Sequence, residues 1–265
     1  MKTSVVIPAF NGRHFLEKNL PEILKMGADE IVIVDDVSTD GTAEYIQKNF
    51  PGVKLIKHEK NMRFPITVND GFANATGDVV FLLNQDLKPK AGLIKNALRH
   101  FAKPDVFAVT FNERGHSWAD GRWIDGMLEF KNGVLDEKLH ESLWPSGGGS
   151  AIRKDLWNLL GGFDPIFSPG YFEDLDLGLR AAKYNLRTIW DSKCIIDHTV
   201  EGIFPKSFSK KSLQYIKERN YLIAVWKNID EKLWQAHFES LIKRVVTHSG
   251  YLIPLLMALW RKLVF

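Results

Sequence analysis

The sequence predicts an α/β fold in which helices cover both faces of a mainly parallel, doubly wound sheet. Short segments rich in Val, Ile and Phe alternate with helical segments through residues 1–112, which is typical of such a sheet. The composition is that of a folded globular protein, with 45% hydrophobic and 25% charged residues. A chain of 265 residues fits one main domain with a C-terminal extension.

The apolar segments are short and nearly continuous, which indicates strands buried on both sides. Their connections are of the βαβ type, so we expect right-handed crossovers. The predicted strands are Ser4–Phe10, Glu30–Asp36, Val53–His58, Val79–Asn84 and Val106–Phe111. The predicted helices are about Gly12–Met26, Gly41–Asn49, Phe64–Ala75 and Ala91–Phe101.

The second half of the chain has a different pattern. After Asn112 the sequence is rich in Trp and Gly, which indicates loops and short strands. A helix is predicted over Phe172–Asn185, followed by a strand that ends at His198. From about Lys210 onward we expect two or three helices. The predicted apolar face of one of them consists of Trp234, Phe238, Leu241 and Val245.

Charge is distributed unevenly along the chain. Residues 201–265 contain 11 Lys and Arg against 5 Asp and Glu, whereas residues 1–200 have a small net negative charge. A basic, aromatic-rich tail on an acidic body is typical of a protein that rests on an anionic membrane surface. A nucleic-acid-binding protein would have its positive charge on the recognition domain. We therefore expect a membrane partner and no nucleic acid.

The segment Gly250–Phe265 is apolar apart from Arg261 and Lys262, and it contains Pro254. Its apolar run is shorter than the roughly 20 residues that span a bilayer. We predict an interfacial helix with Trp260 at headgroup level. A helix packed on the domain or on a partner chain is the alternative, and the sequence leaves open whether the protein is a homodimer.

Cysteine usage and the N-terminus indicate the compartment. Cys194 is the only cysteine, so no intrachain disulfide forms, and its apolar setting indicates a small buried side chain. The N-terminal sequence lacks the long apolar stretch of a signal peptide. We expect a cytoplasmic protein, peripheral on the inner face of the cell membrane.

Polar side chains follow three of the predicted strands at the point where each strand ends. Asn11 follows the first strand, Asp35 and Asp36 end the second, and Asn84 and Asp86 end the fourth. In open α/β sheets the carboxyl ends of the strands line one crevice, where ligands bind. We therefore expect these side chains at a single site.

Five motifs occur in this order: "SVVIPAFNG", "VDDVSTDGT", "NMRFPITVNDGFANATGDVVFLLNQD", "GGFDPIFSPGYFEDLDLGLRAAKYNLR" and the His of "IIDHTV". Together they resemble the inverting glycosyltransferases of family 2, which have the Rossmann-like GT-A fold. Within that family the chain is most similar to rhamnosyltransferase-type enzymes of bacterial cell-surface polysaccharide assembly. The resemblance covers about residues 3–200. It implies a glycosyltransferase domain at 1–205, with a nucleotide-binding half at 1–112 and an acceptor-binding half at 113–205, followed by a helical tail at 206–265.

The second motif has two interpretations. As structure, Ser38, Thr39 or Asp40 caps a helix and Glu44 completes a capping box. Two adjacent carboxylates at a buried strand end are nevertheless costly unless a partner satisfies one of them, which favours a ligand. In the family that the chain resembles, the residue matching Asp36 accepts the N3 proton of a pyrimidine base.

The resemblance implies further donor-binding residues. Phe10 would lie against the base, and Pro8 and Asn11 belong to the same motif. Arg63 would lie near the diphosphate, where a cation is favourable, although an ordinary surface arginine is the alternative. Asn84 would orient the sugar.

The segment Asn84-Gln85-Asp86 stands where the fold usually has two aspartates separated by one residue. On an extended chain Asn84 and Asp86 project to one side and Gln85 to the other. One carboxylate with phosphate oxygens and water can hold Mg²⁺ or Mn²⁺, so Asp86 is the predicted metal ligand. By the resemblance His198 completes the metal site, and imidazole favours Mn²⁺. The alternative is an Asx turn before Pro89.

Glu173, Asp174 and Asp176 begin a predicted helix, where the helix dipole by itself favours acidic residues. Sugar transfer with inversion requires a general base for the acceptor hydroxyl. The resemblance assigns this role to Asp174, the second residue of the family's Glu-Asp motif. Asp176 and Arg180 are one helical turn apart, which predicts an ion pair.

The predicted acceptor site consists of Glu173, Trp144, Gly148 and Gly149. The glycine run, Gly147 to Gly149, allows a backbone to approach a sugar closely, and Trp144 can stack on a sugar ring. Ordinary core packing is the alternative for the tryptophan.

The expected function is transfer of a sugar from a uridine- or thymidine-diphosphate donor, with Mn²⁺ or Mg²⁺, to a saccharide or lipid-linked acceptor in cell-surface polysaccharide synthesis. Two alternatives stay open. A sugar nucleotidyltransferase would need a Gly-rich basic phosphate loop, and "PAFNGRHF" is a poor substitute. A sugar-nucleotide-binding protein with weak catalysis is harder to exclude, because Asn84 weakens the metal motif.

Overall fold

The chain folds around a central sheet flanked by helices, in a computed structural model that describes residues 1–113, 118–198 and 208–265. The predicted domain boundary at residues 205 and 206 lies outside the described residues. The strands are β1 (Thr3–Ala9), β2 (Glu30–Asp35), β3 (Lys54–Lys57), β4 (Val79–Leu83), β5 (Leu87–Pro89), β6 (Val106–Glu113), β7 (Ala119–Ile124), β8 (Met127–Asn132), β9 (Leu139–Ser142), β10 (Gly149–Arg153) and β11 (Arg187–His198). The helices are α1 (Arg13–Leu24), α2 (Thr42–Asn49), α3 (Phe64–Asn74), α4 (Leu93–Leu98), α5 (Lys154–Leu160), α6 (Glu173–Lys183), α7 (Lys210–Asn228), α8 (Trp234–Thr247) and α9 (Leu252–Val264).

The first half of the sheet is parallel, in the order β3, β2, β1, β4. Successive side chains of β1 face opposite layers, as strand geometry requires. Val5 packs in one core cluster with Leu16 of α1, and Val6 packs in the other with Val68 and Phe72 of α3. Both faces are therefore covered, which confirms the predicted doubly wound α/β fold.

The second half makes the sheet mixed. β10 is antiparallel and joins β4 to β6, and β11 runs parallel to β6. β5 and β9 pair antiparallel with β11. The pairing of β5 with β11 sets Leu87 opposite His198, which brings the end of β11 beside Asp86.

The hairpin β7–β8 lies apart from the main sheet and turns at Asp125 and Gly126. Both residues have positive φ, +49° and +69°, as a two-residue hairpin turn of type I′ requires. The turn lies on the tail, because Ser240 of α8 donates a hydrogen bond to the carbonyl of Asp125 (2.9 Å). Tyr221 of α7 donates to the carbonyl of Leu128 (3.0 Å).

Residues 208–265 form three α-helices, where two or three were expected, and a third core cluster joins α7 to α6 and to the hairpin. In α8 the buried residues are His237 and Leu241. Phe238 is 57% exposed, so the predicted apolar face is wrong at this position. At this part of α8 the hydrogen-bonded side chain of His237 packs against the body of the protein instead of Phe238.

α9 is a continuous helix, because Pro254 lies in its first turn, where no N–H donor is needed. Pro254 and Ala258 are buried, whereas Leu256, Trp260 and Leu263 are exposed. Within the described ranges, no helix is both long and apolar enough to cross a membrane.

Candidate active site

The loops after β1 and β4 are fastened to each other at the carboxyl edge of the sheet. The backbone N–H of Phe10 donates to Oε1 of Gln85, and Nε2 of Gln85 donates to the carbonyl of Phe10, both at 3.1 Å. Asn19 of α1 donates to the carbonyl of Gln85 (3.0 Å). Gln85 therefore has a structural role and leaves Asn84 and Asp86 to face elsewhere.

The loops after β1 and β2 are joined in a similar way. The backbone N–H of Asn11, which has φ +46°, donates to Oγ of Ser38 (2.9 Å), and Oδ1 of Asn11 accepts from the N–H of Thr39 (2.8 Å). Asp40 accepts from the N–H of Thr42 (3.1 Å), the first residue of α2. The N-cap position itself is Gly41 and no side chain caps it, so the predicted capping residue and capping box are wrong. Pro8 is buried within β1, opposite Val34.

Asp36 is buried, with an exposed fraction of 4%, and its carboxylate organises the segment before α3. Oδ1 accepts from the backbone N–H of Met62 (2.6 Å), and Oδ2 accepts from the N–H of Arg63 (2.9 Å). Arg63 has φ +71° and an exposed side chain. The described residues give Oδ2 one hydrogen bond, and a carboxylate oxygen accepts about two.

His58 is a site residue that sequence reasoning missed. Its Nδ1 lies 2.9 Å from Oδ1 of Asp36, and its Nε2 lies 3.0 Å from Oδ2 of Asp70. His58 directly follows β3, so it comes from the same sheet edge as the other strand-end residues. This position at the end of a strand was the signal in the sequence that could have identified His58, because a single histidine forms no recognisable local motif.

Asn84 and Asp86 each have a buried side-chain oxygen, Oδ1 in both cases, with no hydrogen-bond partner in the described part of the chain. Oδ2 of Asp86 lies 3.1 Å from Nε2 of His198. The predicted pair Asp86 and His198 is thus in contact. Buried polar atoms normally have partners, so the two orphaned oxygens indicate a position for a bound group.

His198 is held between two carboxylates. Its Nδ1 lies 2.5 Å from Oε1 of Glu113, the last residue of β6. Hydrogen bonds to Asp86 first and to Glu113 second raise the pKa of His198 to about 10. Sequence reasoning missed Glu113. Among the described residues no group of three or more His, Cys, Asp or Glu has the arrangement of a metal site.

Glu173 and Asp174 begin α6 at the same edge. Oδ2 of Asp174 accepts from the backbone N–H of Gly147 (3.0 Å), and Oδ1 accepts from that of Leu175 (2.8 Å). Oε2 of Glu173 is buried and has no partner within the described residues. Burial raises the pKa of Asp174, and burial and then the charge of Asp174 raise the pKa of Glu173 well above its usual range.

The glycine run connects Asn84 to Asp174. The carbonyl of Gly148 accepts from the N–H of Asn84 (2.9 Å), next to the bond between Gly147 and Asp174. A Cβ on Gly148 would lie 3.0 Å from Nδ2 of Asn84, so the backbone approaches closely here. Gly149 lies in β10, and a Cβ on it would lie 2.6 Å from the side chain of Ile196.

The remaining predicted residues pack near the start of α6. Trp144 is half-buried and meets Phe130 of the hairpin edge-on, with ring centroids 5.2 Å apart. Asp176 is fully buried, and Nε of Arg180 lies 2.8 Å from its Oδ2, which confirms the predicted ion pair.

The strand order, the joined strand-end loops and the carboxylates at one sheet edge define a protein of the GT-A fold. The family model "Glycosyl transferase family 2" matches residues 4–163, and the chain belongs to this family. The match ends before α6, so it includes the donor side of the site and excludes Asp174, His198 and the tail.

Two similar proteins match parts of this chain. Dolichol-phosphate mannosyltransferase of Pyrococcus furiosus is 38% identical over 94 residues, 33% of this chain and 26% of its own length. Putative teichuronic acid biosynthesis glycosyltransferase TuaG of Bacillus subtilis is 30% identical over 130 residues, 47% of this chain and 51% of its own. The chain therefore spans about a quarter to a half of the length of these relatives.

Two solved structures share the fold. GalNAc-T7 with UDP, GalNAc and Mn²⁺ has a TM-score of 0.69 at 19% identity, covering 85% of this chain and 47% of its own. Mannosyltransferase PcManGT from Pyrobaculum calidifontis, in complex with GDP-Man and Mn²⁺, has a TM-score of 0.64 at 17% identity, covering 97% and 74%.

Proposed function

We propose that the protein transfers a sugar, with inversion, from a nucleoside-diphosphate donor to an acceptor hydroxyl, using Asp174 as the general base. The observation that supports this best is the chain of contacts along one sheet edge. Asp86 contacts His198, Asn84 contacts Gly148, and the adjacent Gly147 contacts Asp174. Donor-side and acceptor-side carboxylates are thereby joined in one site.

The proposed reaction uses the carboxylate of Asp174. It takes the acceptor proton while the acceptor oxygen forms a bond to the anomeric carbon on the face opposite the diphosphate. The bond from that carbon to the diphosphate oxygen breaks, and its electron pair leaves with the diphosphate. Since burial raises the pKa of Asp174, its carboxylate is a stronger base than an exposed aspartate. The raised pKa of Glu173 favours its neutral acid form beside that charge.

A pyrimidine nucleotide is the donor that the base site favours. Oδ2 of Asp36 has one free acceptor position, which suits the imide N3–H of uracil or thymine. Phe10 is half-exposed at the end of β1 and would lie against the base. We therefore propose a UDP- or dTDP-sugar. GalNAc-T7 was solved with UDP, whereas PcManGT was solved with GDP-Man, so related folds accept different bases.

The residues fit a divalent cation. Oδ1 of Asp86 is buried without a partner, and imidazole with carboxylate suits Mn²⁺. Asp86 and His198 would hold the ion, and Asn84 would orient the sugar or a water beside it. When bound, the ion would neutralise charge that develops on the departing diphosphate.

The acceptor and the location are proposed from the tail. Exposed apolar side chains and Lys262 lie together on α9, and residues 201–265 are basic. Anionic lipid, as found on the inner face of a cell membrane, is complementary to such a helix. We propose that the outer face of α9 rests on that surface and that a lipid-linked saccharide is the acceptor.

The base assignment is tested with Asp174→Asn. A panel of UDP-glucose, UDP-N-acetylglucosamine and dTDP-rhamnose is screened for slow hydrolysis with Mn²⁺, and UDP binding is measured by calorimetry. The variant should bind UDP like the wild type and lose turnover. The matched control is Asp155→Asn, because Asp155 also accepts from the N–H of the next residue but is exposed on α5. Wild-type turnover by Asp174→Asn would refute the base assignment, and UDP binding without hydrolysis by the wild type would favour the binding-protein alternative.

The membrane proposal is tested by co-sedimentation with phosphatidylglycerol vesicles and with phosphatidylcholine vesicles. The protein should sediment with the anionic vesicles only, and Trp260→Glu should release it. Leu159→Glu is the control, because Leu159 is similarly exposed (61% against 64% for Trp260) but lies on α5 of the body. Protein that remains in the supernatant with anionic vesicles would refute the proposal.

A further inference from the structure

The loop Pro165–Tyr171 leads directly into α6, and side chains of the tail hold its backbone from outside. We propose that Asn220 is a positioning residue for Asp174, acting through this loop together with Arg219 and Arg261. These three tail residues are called the loop clamp below. The inference rests on the proposed role of Asp174 as the base.

Asn220 lies in α7 and is completely buried. The two hydrogens of its Nδ2 are shared among three carbonyls, those of Phe167 (2.6 Å), Gly170 (2.9 Å) and Tyr171 (2.9 Å). Its Oδ1 accepts from Nε of Arg219 (2.9 Å). Both ends of the amide are used. The carbonyl of Phe167 also accepts from the backbone N–H of Gly170 (3.0 Å), so a side chain without an amide would remove a donor mainly from the carbonyls of Gly170 and Tyr171.

The two arginines complete the loop clamp. Nη2 of Arg219 donates to the carbonyl of Ser168 (2.6 Å). Arg261 of α9 donates to the carbonyls of Ile166 (3.0 Å) and Pro165 (3.3 Å). Except at Pro169, every carbonyl of the loop thus accepts a hydrogen bond from one of three tail side chains. This density of side-chain bonds to one loop indicates that its conformation depends on the tail.

The loop backbone requires such support. Tyr171 and Phe172 have φ values of +75° and +72°, a region that is unfavourable for residues with a side chain. Asp174 follows two residues later, so the direction of its side chain depends on this turn. Unfavourable backbone persists only where surrounding contacts determine it.

The first turn of α6 is held by the same tail helix. Asn228 of α7 donates to Oδ1 of Asp176 (2.9 Å), and Nζ of Lys227 lies 3.3 Å from Oδ2. The start of α6 is therefore fixed by α7 from the preceding loop and from its own first turn. The hydrogen bond between Asp174 and Gly147, which sets the base beside the glycine run, depends on this position.

Position matters more than binding for a general base. A displacement of about 1 Å at a reacting group costs roughly 100-fold in rate. The proposed contacts to the nucleotide base come from the loops after β1, β2 and β3, whereas the loop clamp bonds carbonyls of residues 165–171. Loss of the loop clamp should therefore lower kcat and leave UDP affinity unchanged. A purely structural role would instead lower thermal stability without this selective effect on kcat.

The test compares Asn220→Ala with the wild type. The assay is hydrolysis of the nucleotide-sugar, from the panel given under Proposed function, that the wild type turns over. Asn220→Ala should lower kcat about 10- to 100-fold, with the UDP Kd unchanged. Tyr221→Phe is the control, because it removes the hydrogen bond from the hydroxyl to Leu128 but keeps the ring that packs beside Phe172, so the loop loses no hydrogen bond. It should keep wild-type kcat. Arg261→Met gives a second, independent loss of the loop clamp if Asn220→Ala does not fold, and it should also lower kcat selectively.

The outcomes separate the two proposals. If Asp174→Asn is inactive while Asn220→Ala and Arg261→Met hydrolyse donor at the wild-type kcat, the loop clamp inference alone is refuted. An equal fall of kcat in Tyr221→Phe would also refute it, because any tail change would then suffice. If Asp174→Asn keeps turnover, or if no donor is turned over, the proposed function has failed and the inference falls with it.

Discussion

His237 should make the stability of the protein depend on pH, because it joins the hairpin turn to the tail as a neutral side chain. It is completely buried. Nε1 of Trp226 donates to its Nε2 (2.8 Å), and indole can only donate, so Nε2 is the unprotonated nitrogen. Nδ1 therefore has the proton and donates to the carbonyl of Gly126 (2.8 Å). Protonation of Nε2 would break the bond to Trp226.

The direction of the pH dependence follows from the pKa. Burial first, and the charge of Arg244 as well, lower the pKa of His237 below 6.5. As the pH falls through the ordinary value, the unfolded chain takes up a proton that the folded protein does not, so the free energy of unfolding decreases. The loss from this group is at most about 1.4 kcal/mol at pH 5.5, and it stops below the pKa of the folded state.

Urea unfolding at pH 7.5 and pH 5.5 measures this effect, with His237→Asn and His237→Gln as variants. Asparagine can keep the donor to Gly126 and glutamine the acceptor for Trp226, so each variant leaves one buried group unpaired and should lose about 1–3 kcal/mol at pH 7.5. Neither variant titrates at residue 237, so the difference from the wild type should shrink at pH 5.5. A difference that is constant with pH, or that grows on acidification, would refute the assigned protonation state.

Three further predictions concern other contacts. Gly126→Ala should destabilise the protein roughly 1–3 kcal/mol more than Gly27→Ala in urea unfolding. Both glycines have positive φ, but only at Gly126 would a Cβ meet the backbone of His237, at 2.4 Å. Equal losses of stability would count against the hairpin contact. Glu113→Gln should weaken Mn²⁺ binding about 10- to 100-fold in calorimetry with UDP, because it orients the proposed histidine ligand, and unchanged Mn²⁺ affinity would argue against the metal site. His58→Leu should raise the UDP Kd about 10-fold by releasing Asp36, the proposed base-binding carboxylate, whereas wild-type affinity would restrict His58 to a structural role.

The parallel half of the fold could be predicted because strands buried on both sides produce continuous apolar runs. Val79–Leu83 is fully buried, and its predicted span differs by one residue from the observed strand. β5 could not be found in this way, because Leu87–Pro89 is three residues long and contains Lys and Pro. Its pairing with β11 depends on tertiary register, which local periodicity does not encode.

The candidate site shows the same division. Asp36 and Asp86 follow predicted strands, so topology alone brought them to one edge, and the structure places each in a specific contact. His58 and Glu113 were missed, because each acts on another site residue across the fold. Gly147 was noticed only as part of a glycine run, and its N–H bond to Asp174 depends on how β10 and α6 pack.

The tail buries several polar side chains beside the apolar ones that it contributes to the third core cluster. Its buried side includes Arg219, Asn220 and His237, which donate hydrogen bonds to backbone carbonyls of the loop and the hairpin. Phe238 and Trp260 are exposed. Hydrophobic periodicity assumes that apolar residues face the body, so it assigned Phe238 to the wrong side. Buried polar groups are stable only when they are hydrogen-bonded, and the carbonyls they need belong to the loop before Asp174 and, for His237, to Gly126 of the hairpin. The polar part of the inner face is therefore explained by the loop clamp and by the contact with the hairpin, and the exposed apolar face is left for the proposed membrane surface.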